Sequence, residues 1–286
     1  MNNLIMSPQY KDISSLKQIW KEAFSDNDEF INSFFENCFS TTSCLAYYVN
    51  NRPVSMLFML ECDVFYNGII NKAMYIYAVA TLKQFRSNGF MRSLEQNAST
   101  IATDKNKDLM ILIPQSSELF KMYSKLGYTT AFFNAYKSYK RPKLDGLSPL
   151  YDVKKLSELD FFSKRTCFLN DLNFYASLDK KYNDFICKSN AMYDINAYSV
   201  NDEYVLGFKN NNQFEVIESS IKYENIDKIL PSLFLKFDVE KISFKNIINK
   251  NTDLKPYGMA KLLNNAVKLN TFTDSKPPCY MNLMLD

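Results

Sequence analysis

The chain contains no histidine among its 286 residues. That excludes imidazole as a general base, a metal ligand or a proton carrier. Proton transfer near neutral pH is left to a carboxylate, a tyrosine, a cysteine, a chain terminus or water. Neither sign of charge is in excess: 34 Lys and Arg stand against 31 Asp and Glu, a net charge of +3. So even a balance argues against a partner recruited by charge, such as nucleic acid. Apolar runs such as 56–60 and 109–113 fall far short of the roughly 20 residues of a membrane helix. The opening MNNLIMSPQYKD has no basic region followed by an apolar stretch, so no secretory signal is expected. The six cysteines, at 38, 44, 62, 167, 187 and 279, include no CxxC pair. They read as buried thiols of a reducing compartment, not as disulfides or a zinc site. The expectation is a cytoplasmic protein with no metal, no membrane contact and no nucleic-acid partner.

What the chain does have is apolar mass. Hydrophobic residues make up 47% and aromatics 15%, enough for packed cores along the whole length. A length of 286 residues suggests two domains.

The first half is organised around residues 75–91, YIYAVATLKQFRSNGFM. Tyr75, Ile76, Tyr77, Val79 and Thr81 are aromatic or β-branched and predict a strand. A basic, turn-prone connection follows, and then Met91, Leu94, Ala98, Ile101 and Ala102 recur at helical spacing. A strand that stops in a loop and passes straight into a helix start is suited to holding anions. The first-turn N–H groups have no partners inside the helix, and the macrodipole is positive there. Gly89 lets the backbone approach a ligand closely, and Arg86 adds a guanidinium that can fork onto phosphate oxygens.

The run Val79-Ala80-Thr81, five residues, then Arg86-Ser87-Asn88-Gly89-Phe90-Met91 resembles motif A of the GNAT superfamily of acyl-CoA-dependent N-acyltransferases. Downstream, Leu112-Ile113-Pro114, Ser116 and Tyr123-Ser124-Lys125-Leu126-Gly127-Tyr128 is similar to motif B. The resemblance implies that the strand backbone pairs with pantetheine and that the RxxG loop wraps the pyrophosphate of acetyl-CoA. The cofactor-binding set is then Val79, Ala80, Thr81, Arg86, Ser87, Asn88, Gly89, Phe90, Met91 and Ser116. Two positions depart from the pattern: Met91 stands where a small residue is usual, and Ser116 where Asn is usual. Met91 can act through its backbone N–H, which is indifferent to side-chain size. The hydrophobic residue after G-x, with Pro114 at the strand exit, is similar to the enhanced-intracellular-survival type of aminoglycoside acetyltransferase.

Along the chain, the pattern predicts a strand at 4–6, a helix capped by Asp12 or Ser14, and a second helix over 28–38. Strands follow at 45–49 and 54–62, then a separate tight hairpin over 64–71 before the central strand. Beyond the central helix come a buried strand at 108–113, a helix from Ser116 or Ser117 ended by Gly127, and one or two strands in 129–139. This is an α/β, mixed-sheet order with helices on both faces. Residues 141–146 read as a linker. Helices are expected over 153–162 and 170–188, strands at 193–200, 204–209 and 214–219, a helix at 226–237 disturbed by Pro231, and strands at 241–248 and 279–285. The second half thus repeats the plan of the first. Where the phosphate loop should be it has Ser219-Ser220-Ile221-Lys222-Tyr223-Glu224, with no Arg-x-x-Gly. The expected organisation is two GNAT-like domains in tandem, 1–140 catalytic and 141–286 degenerate.

Acyl transfer from a thioester to an amine requires a neutral amine, a close approach and a proton for the departing thiolate. Deprotonating a lysine-like amine at pH 7 costs about 4–5 kcal/mol, whereas positioning can lower the barrier by roughly 7–11 kcal/mol. Placement therefore outweighs any single acid or base. Tyr123, at the motif B position, is the expected general acid, since a phenol with pKa near 10 is protonated at pH 7. Tyr128 is expected to pack in the core. For the base, the central strand offers Tyr75 and Tyr77 where many members of the family have Glu; Glu61 and Asp63 lie on a neighbouring strand. The enhanced-intracellular-survival resemblance implies a role for the terminal carboxylate of Asp286. The expected activity is acetyl-CoA-dependent N-acetylation of a small-molecule or peptide amine. The alternative is an acyl-CoA-binding or partner-binding module without turnover. No motif encodes the acceptor or the oligomeric state.

Overall fold

The structure is a computed structural model describing residues 3–142, 149–246, 253–264 and 279–285. In chain order the elements are β1 (Asn3–Met6), α1 (Ile13–Ala23), α2 (Asp28–Asn37), β2 (Cys44–Val49), β3 (Arg52–Tyr66) and β4 (Ile69–Thr81). There follow α3 (Phe90–Asp104), β5 (Leu109–Leu112), α4 (Ser117–Ser124), β6 (Thr129–Asn134) and β7 (Tyr136–Lys140). Then come β8 (Val153–Lys155), α5 (Glu158–Asn170), β9 (Phe174–Leu178), α6 (Lys180–Met192), β10 (Asn196–Val200) and β11 (Glu203–Asn210). The last are β12 (Gln213–Ser219), α7 (Ile226–Phe237), β13 (Lys241–Lys245) and β14 (Lys255–Leu262). Among the described residues no helix is long and apolar enough to cross a membrane.

The chain divides into two compact units. The first comprises Met1–Phe132, Phe174–Ile186 and Tyr257–Asp286; the second comprises Phe133–Asn173 and Cys187–Pro256. Compared with the expected 1–140 and 141–286 division, the first unit also takes in two later stretches of chain.

The first unit is built on a mixed sheet of order β1-β2-β3-β4-β5-β14-β6, with β9 added along β3. β4 and β5 pair in parallel, whereas β1–β2, β2–β3, β3–β4, β3–β9 and β5–β14 are antiparallel. Alternate residues of β4 serve two cores, as the two-residue period of a strand requires. Ala73 and Tyr75 pack on α1 and α2 residues, Leu16, Ile19, Trp20, Phe30 and Phe34 among them. Met74 and Ile76 pack on the other face with Leu94, Ala98, Met110 and Tyr123. Trp20 centres the first of these cores, with its ring 4.9 Å from Phe34 and 5.7 Å from Tyr77.

The second unit repeats this plan in the order β7-β13-β12-β11-β10-β8, and here β12 and β13 are the parallel pair. Its core gathers Phe214, Val216, Leu233, Phe234, Ile242 and Phe244. In each unit the far side of the parallel pair is closed by an antiparallel strand, β14 beside β5 and β7 beside β13.

Several expectations are corrected. The tight hairpin expected over 64–71 forms, with its turn at Asn67 and Gly68, but as the tip of β3 and β4 rather than as a separate unit: both strands run unbroken into it, and Asp63 and Lys72 pair across them at 2.9 Å. Residues 174–178, read as helix, form β9, whose alternation is satisfied by pairing with β3 from Cys62 to Tyr66. The stretch 153–162 is a short strand followed by a helix that starts at the Ser157 cap. Residues 279–285 contribute isolated bridges, Phe132 with Cys279 and Tyr175 with Tyr280, rather than a strand. Asp12 precedes α1, but its carboxylate accepts from the Gln9 N–H and the Tyr48 hydroxyl instead of capping the helix. Cys167 is exposed, whereas Cys38, Cys44, Cys62 and Cys279 are buried thiols.

Strand β14 falls in a stretch to which the sequence pattern assigns no element, and its Pro256 and Gly258 carry no strand signal. Gly258 is there for close packing: a Cβ would stand 2.9 Å from Met281 Sδ, 3.1 Å from the Phe132 ring and 3.2 Å from the Leu112 carbonyl. Gly258→Ala is therefore expected to lower stability by about 1–3 kcal/mol, the range of an overpacked core. Denaturant unfolding of the variant checks this, and a change within experimental error would show that the contact can relax.

Candidate active site

The parallel pairing of β4 with β5 covers only Ala73, Met74 and Tyr75, opposite Leu109, Met110 and Ile111. Immediately beyond, β4 carries an irregularity against β3. Phe58 pairs with Tyr77 and Met56 with Ala80, so Ala78 and Val79 together face Leu57. Ala78, within this bulge, takes a left-handed φ of 46°. The bulge shifts the strand's parity: Tyr77 and Ala78 both turn toward the Trp20 core, and Val79 toward the other. Past Tyr75, β4 thus leaves its parallel neighbour, and a cleft of about 570 Å³ opens along it.

The strand ends at Thr81, and a short 3₁₀ turn, Lys83–Phe85, leads into the loop. The side chains there hold the loop's own backbone: Arg86 Nε donates to the Thr81 carbonyl at 3.1 Å, and the Asn88 amide donates to the carbonyls of Phe85 and Arg86 at 3.0 and 3.2 Å. Ser87 and Gly89 have φ of 66° and 78°. Gly89 is the N-cap of α3 and brings no capping side chain, so the first-turn N–H groups of the helix keep their donors open. A Cβ on Gly89 would meet nothing within 4 Å, so that face of the loop is open space. Phe90 stacks on Tyr47 at 4.0 Å and fixes where the helix starts.

Across the sheet edge, α4 begins at Ser116, whose hydroxyl accepts from the Leu119 N–H at 3.3 Å. This helix carries Leu119, Met122 and Tyr123 into the cleft wall. Tyr123 is 6% exposed. Burial, and secondarily the charge of Glu95, push its phenol well above the ordinary value, so it holds its proton throughout the neutral range. The cleft's ionised side chains are Arg86 and Arg92, and no carboxylate lines it among the described residues. An apolar groove with two guanidinium groups and an uncapped helix start can accept an elongated molecule bearing phosphates.

Residues 5–131 match the family model of the acetyltransferase (GNAT) domain. This stretch is a GNAT acetyltransferase domain. The whole chain is similar in fold to a probable N-acyltransferase of unknown function from Enterococcus faecalis V583, at 15% identity and TM-score 0.75, covering 95% of this chain and 74% of that one. It is also similar to Eis1 from Mycobacterium abscessus, at 10% identity and TM-score 0.67, with 92% and 74% covered. A tandem GNAT protein from the clavulanic acid biosynthesis pathway aligns at 9% identity and TM-score 0.55, with 93% and 100% covered. At such identities the likeness speaks for the fold: a tandem arrangement of GNAT-like domains. Among curated proteins none is matched by sequence.

Within the GNAT domain, Val79, Ala80, Thr81, Arg86, Ser87, Gly89, Phe90, Met91 and Tyr123 all line the cleft. Asn88 and Ser116 do not; the first braces the loop and the second caps α4, while Gln115 lines the cleft beside it. Asp286 lies outside the described residues. Glu61 pairs with Lys105 at 3.6 Å and with Lys107, and Asp63 pairs with Lys72; neither lines the cleft. Sequence reasoning passed over Arg92 and the α1 end, Ala23 and Phe24. Arg92 was legible as a second cation within one turn of the helix start.

In the second unit the same strand irregularity recurs: Leu206 pairs with Glu218 and Gly207 with Val216, leaving Ile217 extra, just past the last parallel pair. The loop after it differs. Ser220 is held by Glu203 at 2.5 Å and accepts from the Tyr204 N–H, and Ser219 accepts from the Ile221 N–H. These hydroxyls are consumed inside the loop, and no glycine in a left-handed conformation precedes α7.

Because nothing crowds Gly89, replacing it tests conformation alone. Gly89→Ala is expected to lose roughly 1–2 kcal/mol, the left-handed penalty for a residue with a Cβ, and Gly89→Asn to lose less. Equal losses in thermal or urea unfolding would contradict the conformational explanation.

Proposed function

We propose that this chain transfers an acetyl group from acetyl-CoA to a primary amine of a small molecule or peptide, by direct attack of the amine on the thioester carbonyl. The observation that carries the reading is the cleft where β4 leaves β5 and runs into the uncapped start of α3, flanked by Arg86 and Arg92. Its residues fit coenzyme A: an apolar groove beside a strand without a partner on that side suits pantetheine, and main-chain donors with two guanidinium groups suit a pyrophosphate. When bound, the thioester supplies an activated acyl group.

The chain's own part is holding and protonating. The Arg86–Met91 loop and α3 anchor the anionic end, and the bulged strand orients the arm. Apolar walls exclude water, which strengthens every electrostatic contact inside. Tyr123 keeps a proton at its hydroxyl on the cleft wall, available to the departing thiolate. With no histidine in the chain and no carboxylate lining the cleft among the described residues, placement supplies most of the rate.

Two measurements test this. Saturating coenzyme A is expected to raise the melting temperature, as any ligand bound only by the native state does, and acetyl-CoA with a panel of amines is expected to release free thiol. An unchanged melting curve overturns the proposal. Stabilisation without thiol release for any amine would indicate an acyl-CoA-binding module instead.

Tyr123→Phe is expected to lower kcat roughly a hundredfold or more, the scale of a lost general acid, with the coenzyme A melting shift retained. For the same reason the alkaline limb of kcat belongs above the ordinary phenol value near 10. A variant as active as the parent would remove Tyr123 from the acid role.

A further inference from the structure

Helix α3 carries a carboxylate on its buried face. Glu95 is 1% exposed, with Oε1 accepting from Lys261 Nζ at 2.9 Å and from Ser99 Oγ at 3.0 Å. Its other oxygen, Oε2, is buried without a hydrogen-bond partner among the described residues. Lys261 comes from β14 and also donates to Ser99 Oγ at 2.8 Å. Its ammonium lies 5.5 Å from the Tyr128 ring centroid, and Tyr128 meets Tyr123 edge-to-face at 5.6 Å. The ion pair, Tyr128 and Tyr123 are therefore in continuous contact, and the last of them lines the cleft.

Stability does not explain the arrangement. A buried ion pair is usually no better than apolar side chains of equal volume, and an orphaned carboxylate oxygen makes this one worse. What the pair does provide is fixed direction: charge-assisted hydrogen bonds hold Lys261 against one face of Tyr128, and that ring in turn limits where Tyr123 can go.

We propose that Glu95 and Lys261 are positioning residues that hold Tyr128, and through it the Tyr123 hydroxyl, in the orientation for proton donation. The inference rests on the reading of Tyr123 as the acid. Among the described residues, Glu95 from α3 and Tyr128 from beyond α4 are the titratable groups facing Tyr123, Lys261 from β14 stands over Tyr128, and Arg86 and Arg92 share the Tyr123 cleft. Burial and the Glu95 charge both raise the Tyr123 phenol, so losing that charge moves the alkaline limb of kcat to lower pH.

The test is the doubly neutral variant Glu95→Gln with Lys261→Met, which leaves no unpaired buried charge and so folds, in the full chain. Its melting temperature is expected to rise with coenzyme A as in the parent, and KM for acetyl-CoA to stay within about twofold. Meanwhile kcat falls about tenfold or more, the scale of a misplaced reacting group, and its alkaline limb shifts down. Added to Tyr123→Phe, the same pair of changes is expected to cost nothing further. Tyr128→Leu, which keeps both charges and removes the linking ring, is expected to show the same kcat loss. Parent-like kcat in either folded variant overturns the proposal, as does an undiminished further loss in the Tyr123→Phe background. If Tyr123→Phe alone leaves kcat unchanged, the acid assignment has failed; if coenzyme A has no effect on melting, the enzyme reading has failed.

Discussion

The first unit depends on an unmade pairing. Strands β4 and β5 run together for three residue pairs and then separate, because β4 takes on an extra residue at Ala78–Val79 and β5 ends at Leu112. Buried backbone N–H and C=O groups must find partners somewhere. On one side of β4 those partners come from β3, with Ser55 adding a bond to the Ala80 carbonyl at 2.9 Å. On the other side the strand borders the cleft, where an extended polar molecule can supply what a neighbouring strand would have. The site is thus a gap in the sheet's own hydrogen-bond ladder, kept open by packing on both faces.

The rest of the unit maintains that gap. The Trp20 cluster fixes one face of β4 and the Leu94–Met110–Tyr123 cluster the other, so the strand cannot swing back toward β5. On its far side β5 is occupied by β14, pairing from Leu262 with Leu109 to Met259 with Leu112. The second unit has the equivalent bulge at Ile217 and the equivalent antiparallel neighbour, yet its loop hydroxyls are tied up internally. The bulge therefore belongs to the shared architecture, and the open loop with Arg86 and an uncapped helix start is what distinguishes the first unit.

How legible this was in the residues depended on how local each signal is. The strand–loop–helix unit at 75–104 was readable because its β-branched run, glycine and helical stripe are contiguous. Strand β14 was not, since Pro256, Gly258 and two lysines carry no strand signal, and its stability comes from β5, Phe132 and Met281. The Phe174–Leu178 strand was misread for a similar reason: a five-residue apolar run takes its conformation from a partner distant in sequence, here β3. Glu95 had a usable signal that went unread. It lies four residues after Met91 and three before Ala98, within the apolar stripe of α3, and a carboxylate at such a position demands a buried partner. That the partner is Lys261 could not be read, because nothing local connects α3 with β14.

The absence of a carboxylate from the cleft lining among the described residues bears on the other half of the proton problem. For an amine acceptor, the penalty of about 4–5 kcal/mol assumes the amine's pKa in water. A groove with apolar walls disfavours the ammonium by desolvation. Desolvation lowers the amine's pKa as it enters, at about 1.4 kcal/mol per unit, so three such units would remove most of the penalty without any side chain accepting the proton. The proton would then pass to solvent before the amine is enclosed. A chain without histidine is compatible with that route, because desolvation by the apolar walls asks no side chain to take the proton.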